Sequence, residues 1–411
     1  MDNLTLIWIA VSLMILLNVL MVVLTLGIKA LRSVRQRTTE SRKRRLESAL
    51  ENSIFSGETD PSLLKLDGRD LDLLASLMID YLYVLSGEQR DRLVRLAEEV
   101  GLVRRYLERL RARGRWRKAR AAENLGHFGG PETIAPLAQL LLHPDETLRA
   151  VAARALARIG TPEAARELAR RLSDPSELTR LRMAENLARI GHPSVEPLIE
   201  VLEEARDNKE SRPYGPVQAS QVLGQLRAPE ARQALGDAAL LSQSVDLRAK
   251  STQALGKIGD PDDLPKLFTA AEDEAWPVRA QAASSLGVIG DLAAIPVLRN
   301  LTLDREWWVR LNASRSLANM GPDGERALTS LLEHDDRYAR DRAAATLEER
   351  GITRRVAEEL SAPGERGESA RAMIRAMVRA GATRYLGRLA NTMSDEDARI
   401  TLGKILMEET T

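Results

Sequence analysis

The sequence predicts an all-α chain: a right-handed α-solenoid of short helical hairpins with an N-terminal transmembrane helix. Three observations predict it. Glycines mark helix ends at Gly129, Gly160, Gly191, Gly259, Gly290, Gly321, Gly351 and Gly381, in steps of 30 or 31 residues except between Gly191 and Gly259. Each step holds two apolar stripes of helical period. Residues 3–28 carry no charge at all. A hairpin of this size cannot bury its apolar face alone, so successive units must stack and share a core.

Asn3 to Ile28 opens the chain. As a helix it is about 39 Å long, enough to cross a hydrocarbon layer of about 30 Å with some tilt. Asp2 precedes it, where a cleaved signal peptide would carry a basic start. Lys29, Arg32, Arg35 and Arg37 follow it. By the positive-inside rule the N-terminus is then outside and the rest cytoplasmic, a single-pass protein of the inner membrane. Asn18, mid-span, is either tolerated or bonded to another transmembrane helix.

Residues 29–60 read as a basic juxtamembrane segment, a charged helix or tether, ending in a linker from about Asn52. Lys29, Arg32, Arg42, Lys43, Arg44 and Arg45 are candidates for contact with anionic headgroups, the plainer reading being a solvated stop-transfer flank.

Residues 61–114 read as a helical N-terminal cap, which a repeat array needs. Leu71, Leu74, Met78, Leu82 and Leu85 form one face, and Ser86 with Gln89 reads as a capping box. The end of this stretch, running into the first repeat, is strongly basic. Arg104, Arg105, Arg109, Arg111, Arg113, Arg115, Arg117, Lys118 and Arg120 stand against Glu108 alone. That is either a solvated helix face or one turned to a membrane or an acidic partner.

Residues 115–381 are the array. In the unit from Thr161 to Gly191, Thr161 caps a helix started by Pro162, and Ala164, Leu168 and Leu172 form its apolar face. Asp174-Pro175 ends it, and a second helix runs from Arg180 to Ile190. First helices carry an internal proline at Pro136, Pro197, Pro265 and Pro296, expected to bend them near their start. The gap after Gly191 hides a further unit that ends at Arg227 and holds an insertion around Glu204 to Pro216, including Arg212 and Tyr214. Insertions of this kind fall on loops, often on a binding face. A basic residue recurs seven positions before the unit's last leucine or its equivalent: Lys118, Arg149, Arg180, Arg248, Arg279, Arg310 and Arg340. Asp174, Asp273 and Asp304 precede theirs by six.

These texts, such as ARALARIGTPE and AENLARIGHPS with the Asp–Arg ladder behind them, resemble short HEAT repeats. The 31-residue period resembles the phycobilisome-lyase-type subclass. The resemblance implies that the ladder ties neighbouring units together. With its anchor and basic cap, the chain is similar to bacterial membrane-anchored HEAT-repeat proteins, which look like accessory subunits of membrane complexes. A membrane glycosyltransferase for an exported polysaccharide is one client this implies. Residues 382–411 complete the chain as a helical C-terminal cap, with Ser394 and Asp397 reading as its last helix start.

Composition narrows function. With 60 basic against 59 acidic residues, the chain lacks the excess charge of a general nucleic-acid binder. It has no cysteine, which removes disulfides, thiolate metal sites and cysteine nucleophiles. His127, His143, His192 and His334 lie near turns of different units, without metal-ligand spacing. No nucleotide or nucleophile motif is present. No catalytic residue, cofactor, metal or small-molecule substrate is expected. Acidic pairs such as Asp262-Asp263 read as solvated turn residues.

Aromatics are only 3% of the chain, yet Trp116, Tyr214, Trp276, Trp307, Trp308 and Tyr338 all fall two or three positions before a ladder position. They line one edge of the array. Either each ring covers its own turn, or Trp276 to Tyr338 forms a rim for a partner, of the composition typical of binding hot spots. The reading adopted is a non-catalytic, membrane-anchored scaffold that positions a membrane-associated protein partner. The alternatives are a nucleic-acid binder such as a HEAT-like DNA glycosylase, which needs a basic groove, and a phycobilisome-type chromophore lyase, a soluble class.

Overall fold

The computed structural model describes the backbone of residues 3–207 and 214–410, and few side chains before Thr39. The described residues form helices and turns and no strand. They divide into two compact units, Met1–Ile159 and Gly160–Thr411.

The first unit holds α1 (Asn3–Ser56), α2 (Gly68–Leu82), α3 (Gly87–Glu99), α4 (Leu102–Arg111), α5 (Arg115–Phe128), α6 (Ile134–Leu140) and α7 (Glu146–Ile159). The second holds α8 (Pro162–Ala169), α9 (Glu177–Ile190), α10 (Val195–Asp207), α11 (Tyr214–Leu226), α12 (Arg232–Leu241), α13 (Val245–Ile258), α14 (Leu264–Ala270) and α15 (Trp276–Ile289). It continues with α16 (Ile295–Leu301), α17 (Trp307–Ala318), α18 (Gly321–Leu331), α19 (Arg337–Glu349), α20 (Ile352–Glu358), α21 (Glu365–Arg379), α22 (Thr383–Ala390) and α23 (Glu396–Thr410). From α4 onward, each even-numbered helix is the first of a hairpin and each odd-numbered helix the second.

The local chemistry accounts for these ends. Thr161 Oγ1 accepts from the Ala164 N–H at 3.3 Å, as its place before Pro162 predicts. Gly259 and Gly290 end α13 and α15 in the left-handed region, where a side chain would be strained. Arg227 takes the same conformation, φ 51°, where other units have glycine. The prolines expected to bend the first helices stand at helix starts. Pro136, Pro197, Pro265 and Pro296 fall at the second or third residue of helices entered through a 3-10 turn. There the missing N–H has no intrahelical partner to lose. Two predicted caps differ in detail: Ser86 stands at the N-cap of α3 but makes no side-chain capping bond, and Asp395, not Ser394, accepts from the Ala398 N–H at 3.0 Å.

The second helices of the second unit pack side by side, α11 on α13, α13 on α15, α15 on α17. Small residues allow it. A Cβ built on Gly256 would lie 2.3 Å from Ser285 Oγ, and one on Gly287 would lie 2.2 Å from Ser316 Oγ. The serines use this closeness: Ser285 Oγ donates to the Thr252 carbonyl at 3.0 Å and Ser316 Oγ to the Ala283 carbonyl at 2.9 Å. A buried hydroxyl is thus satisfied by the neighbouring helix. Leu255, Leu286 and Leu317, at equivalent places, are fully buried.

In the first unit, α1 is one helix through Ser56. Leu46, Leu50 and Ile54 are buried and Ser53 Oγ accepts from the Asp60 N–H at 3.0 Å. The stretch read as tether and linker therefore enters the cap well before residue 61. Its apolar stripe, at four-residue spacing, is hidden in the sequence by the charges around it. Tyr81 Oη donates to Glu51 at 2.6 Å, and that bond pushes the phenol pKa up to about 12.

Among the described residues no helix is long and apolar enough to cross a membrane. The span expected at 3–28 rests on side chains most of which, up to Leu13 and at several later positions, lie outside the described residues.

Candidate interaction surface

The ladder arginines sit at the start of each second helix and all fold the same way. Nη1 donates to the carbonyls six and five residues back: Arg149 to His143 and Pro144, Arg180 to Asp174 and Pro175, and Arg279 to Asp273 and Glu274. Arg248, Arg310 and Arg340 repeat this pattern. Each guanidinium so closes its own inter-helix turn, whose carbonyls no helix satisfies.

The rest of the guanidinium faces the next hairpin, and what it meets there varies. Arg248 Nε and Nη2 donate to Asp273 at 2.7 and 2.9 Å. Arg279 makes the same fork with Asp304. Burial pushes the Asp273 and Asp304 carboxyls up, but hydrogen bonds from the arginines and from the Ala275 and Glu306 N–H groups outweigh it. Both pKa values end below the usual carboxylate range. Where that aspartate is missing, a tyrosine ring takes its place. The Arg180 guanidinium lies 4.3 Å from the Tyr214 ring centroid and that of Arg310 lies 5.2 Å from Tyr338. His334 occupies the aspartate position before Arg340 and keeps only the turn-forming half of its role: its Nδ1 accepts from the Asp336 N–H at 3.0 Å. His143 does the same for Asp145.

The aromatic edge therefore divides in two. Tyr214 and Tyr338 cover ladder arginines. Trp276, Trp307 and Trp308 show no such stacking among the described residues, and at 41%, 48% and 54% exposed they stand beside Tyr214 at 51% and Tyr338 at 66%. Trp307 and Trp308 meet edge to face with centroids 4.7 Å apart. Trp276 and Trp307 start α15 and α17, which pack directly on each other. The structure thus presents three partly exposed tryptophans on two consecutive hairpins. Trp116 is more exposed still, but lies in the first unit and stacks with Arg115 at 5.2 Å.

Arg212 lies outside the described residues. Helices α10 to α13 frame a mostly apolar cleft of about 200 Å³, lined by Leu202, Pro216, Ala234, Ala238, Leu241 and Leu247. Of the membrane-surface candidates, the Arg32 side chain is outside the described residues and Lys29 and Arg44 are exposed. Arg42 and Arg45, also exposed, pair with Asp70 at 3.6 and 3.5 Å.

Two features escaped the sequence. Asp263 is not a solvated turn residue but fully buried, bonded to Arg232 Nε at 2.7 Å and Lys266 Nζ at 2.8 Å. First helices are joined in the same way elsewhere, as by the fork of Arg166 on Glu200. The glycine–serine contacts of the second helices were equally invisible, though Gly224, Gly256 and Gly287 share one place in their units. Among the described residues, no group of three or more acidic, His or Cys side chains could hold a metal ion.

Stacked hairpins, closed turn by turn with one arginine and bearing an aromatic edge, define a helical-repeat solenoid. A family model for HEAT repeats matches residues 105–188, 204–287 and 264–348, more than half of the chain. The chain belongs to the HEAT-repeat family. No curated protein matches it. Among solved structures it is similar to YibA of Escherichia coli, at 19% identity over 60% of this chain and 95% of that one, TM-score 0.37. It is also similar to human deoxyhypusine hydroxylase in complex with glycerol, at 20% identity over 69% of this chain and 98% of that one, TM-score 0.27. A third is Kap121p bound to Pho4p, at 14% identity over 88% of this chain and 47% of that one, TM-score 0.44.

Proposed function

We propose that this protein is a non-catalytic, membrane-anchored scaffold whose Trp276–Trp307–Trp308 edge holds a protein partner belonging to a membrane complex. The observation that carries this reading is the exposure of three indoles that cover no ladder arginine. Indoles are the side chains most enriched in binding hot spots, and burial of one by a partner contributes about 2 kcal/mol or more. Tyr338 and Tyr214 flank the edge and add area while serving their arginines.

The anchor is supported by the uncharged run 3–28 and by its described side chains. Met14, Leu16, Leu17, Leu20, Met21 and Leu24 are each about three-fifths exposed, an all-round apolar surface that calls for lipid. The polar groups there turn back on the helix: Asn18 Nδ2 donates to the Met14 carbonyl at 2.9 Å and Thr25 Oγ1 to the Met21 carbonyl at 2.6 Å. Such bonding is what a helix in hydrocarbon requires. The basic flank after Ile28 supports a cytoplasmic location for the repeats.

The test is purification of the full chain from its own cells in mild detergent, beside a Trp307→Glu/Trp308→Glu variant, with mass spectrometry of what co-purifies. The reading expects a membrane-complex subunit, such as a glycosyltransferase of polysaccharide export, with the wild type and its loss with the variant. An unchanged partner set, with unchanged stability of the variant, overturns the rim.

A further inference from the structure

The two most basic stretches of the chain, 29–45 and 104–120, are far apart in sequence, and the structure joins them at one end of the cap. The joint is the first two turns of α2. Asp70 is met by Arg42 and Arg45 of α1. Asp72 takes a fork from Arg109 of α4, at 2.7 and 3.1 Å, with Arg105 at 3.7 Å. Arg105 also donates to the Gly68 carbonyl at 2.9 Å.

Contacts along the helices fix which end this is. α1 meets Asp70 through Arg42 and Arg45, and meets Tyr81 through Glu51. The two helices therefore run side by side in the same sense, and the start of α2 looks back along α1 toward its apolar half. α5 runs the same way: the Arg120 charge acts on Asp72 at the near end, and His127 meets Tyr83 edge-on, centroids 5.9 Å apart, at the far end. The first residues of α5 and the turn before them therefore stand at about the level of Asp72, at the end facing the apolar half of α1.

Among the described residues, Asp70 and Asp72 form ion pairs with Arg42, Arg45, Arg105 and Arg109. Arg44, Arg104, Arg111, Arg113 and Arg117 are exposed and make no ion pair among the described residues. Beside them Trp116 is 76% exposed. A positive surface with an amphipathic indole at its tip matches a lipid interface, where anionic headgroups attract arginine and indole rings settle.

We propose that this end of the cap rests on the anionic face of the bilayer that α1 crosses, with Arg104, Arg111, Arg113 and Arg117 on headgroup phosphates and carboxylates and Trp116 at the interface. The proposal rests on the reading of 3–28 as an anchor. The distances allow it. α1 rises about 21 Å from Ile28 to Arg42, and the headgroup layer takes about 6 Å of that. The α4–α5 turn stands at about the level of Arg42, and the remaining distance of about 15 Å is covered by an arginine side chain together with a lean of α1 of about 30°. The cap is then a second contact with the bilayer, and α1 a stalk held at a set angle.

The chain has no cysteine, so a single introduced one takes a dye uniquely. Arg113→Cys marks the basic end and Glu88→Cys the opposite end of the cap. Each full-length variant is reconstituted in nanodiscs of phosphatidylcholine, with or without phosphatidylserine, carrying an acceptor dye on a headgroup. Energy transfer from position 113 should exceed that from 88. It should rise with phosphatidylserine and fall several-fold at high salt, or when Arg104, Arg111 and Arg117 are changed to Ser. Co-elution with the discs but equal transfer in both lipids overturns this proposal alone, and leaves the basic end to an acidic protein. Failure to co-elute with discs at all overturns the anchor, and the proposal with it.

Discussion

Arg279 donates to Asp304 through both Nε, at 2.6 Å, and Nη2, at 3.0 Å, while its Nη1 holds two carbonyls of its own turn. Each of the two side chains is only 10% exposed. One guanidinium thus fastens a turn and the hairpin after it. Arg279→Ala leaves a buried carboxylate and two carbonyls unpaired and should cost about 2–3 kcal/mol. Arg279→Lys, which lacks the fork, should recover only part. Urea denaturation of the three proteins decides it; an unchanged midpoint for the alanine variant would mean the arginine is merely solvated.

The same pair sets an acid limit. The carboxyls of Asp273 and Asp304 titrate below their ordinary value in the folded chain. Their contribution to stability is complete above about pH 4, where the unfolded groups are ionised, and is lost as pH falls through the lower folded values. The stability gap between wild type and Asp304→Asn should therefore be widest near neutrality and narrow below about pH 4. A gap independent of pH from 7 to about 3 would contradict the assignment.

Gly287→Ala tests the close approach of α15 and α17. In an open helix this change stabilises by about 1 kcal/mol. Here the new methyl would meet Ser316, including its Cα at 2.9 Å. The expected sign is opposite, a loss of about 1–3 kcal/mol from forced separation of the helices. A rise in melting temperature would show that the helices part at little cost.

Arg227→Gly should act the other way. Arg227 is the non-glycine residue of positive φ among the described residues, and the Ala228 N–H closes the end of α11 on the Leu223 carbonyl at 3.2 Å. Glycine removes a left-handed penalty of about 1 kcal/mol, partly offset by the freedom it gives the unfolded chain. Thermal unfolding should shift upward by a few degrees or less; a downward shift would reveal an undetected role for the side chain.

Truncation should distinguish stalk from cap. Removing residues up to 38 leaves the docked part of α1 intact, and circular dichroism should keep its helical signal with a cooperative transition. Removing residues up to 56 strips Leu46, Leu50 and Ile54 from the cap, each worth about 1.5–3 kcal/mol of burial. That shorter chain should melt earlier or expose apolar surface to a dye. Equal stability of the two would place the cap boundary near residue 61 after all.

The repeat was legible because its marks are obligatory. Left-handed helix ends favour glycine, and the turn carbonyls need a fixed donor, so Gly290 and Arg279 stand at constant offsets. What was hidden depends on neighbours in space. Asp263 reads like any turn acid until Arg232, a hairpin away, is set against it. Ser285 and Ser316 read as ordinary polar residues until Gly256 and Gly287 let their helices close in. The rim was legible as a position but not as a division of labour. Whether Tyr338 or Trp308 covers an arginine turns on whether the next hairpin carries Asp304 or His334 in the facing place. The α1 stripe was masked because Arg44, Arg45, Glu47 and Glu51 stand beside its leucines in the sequence.

The pairing of Arg232 with Asp263 gives the repeats a fixed succession. On the second-helix side, α15 carries both halves of the contact, Ser285 for the helix before it and Gly287 for the helix after, and Asp273 and Arg279 likewise. By those marks alone the α14–α15 hairpin could follow a copy of itself. The first-helix side forbids it. In a tandem copy the second Asp263 would face the first Leu264, which holds the place of Arg232, leaving a buried carboxylate with Lys266 alone. Gene duplication of this hairpin would thus need a compensating change at that one position to survive, and shuffling of hairpins is barred by a charge no surface inspection would find.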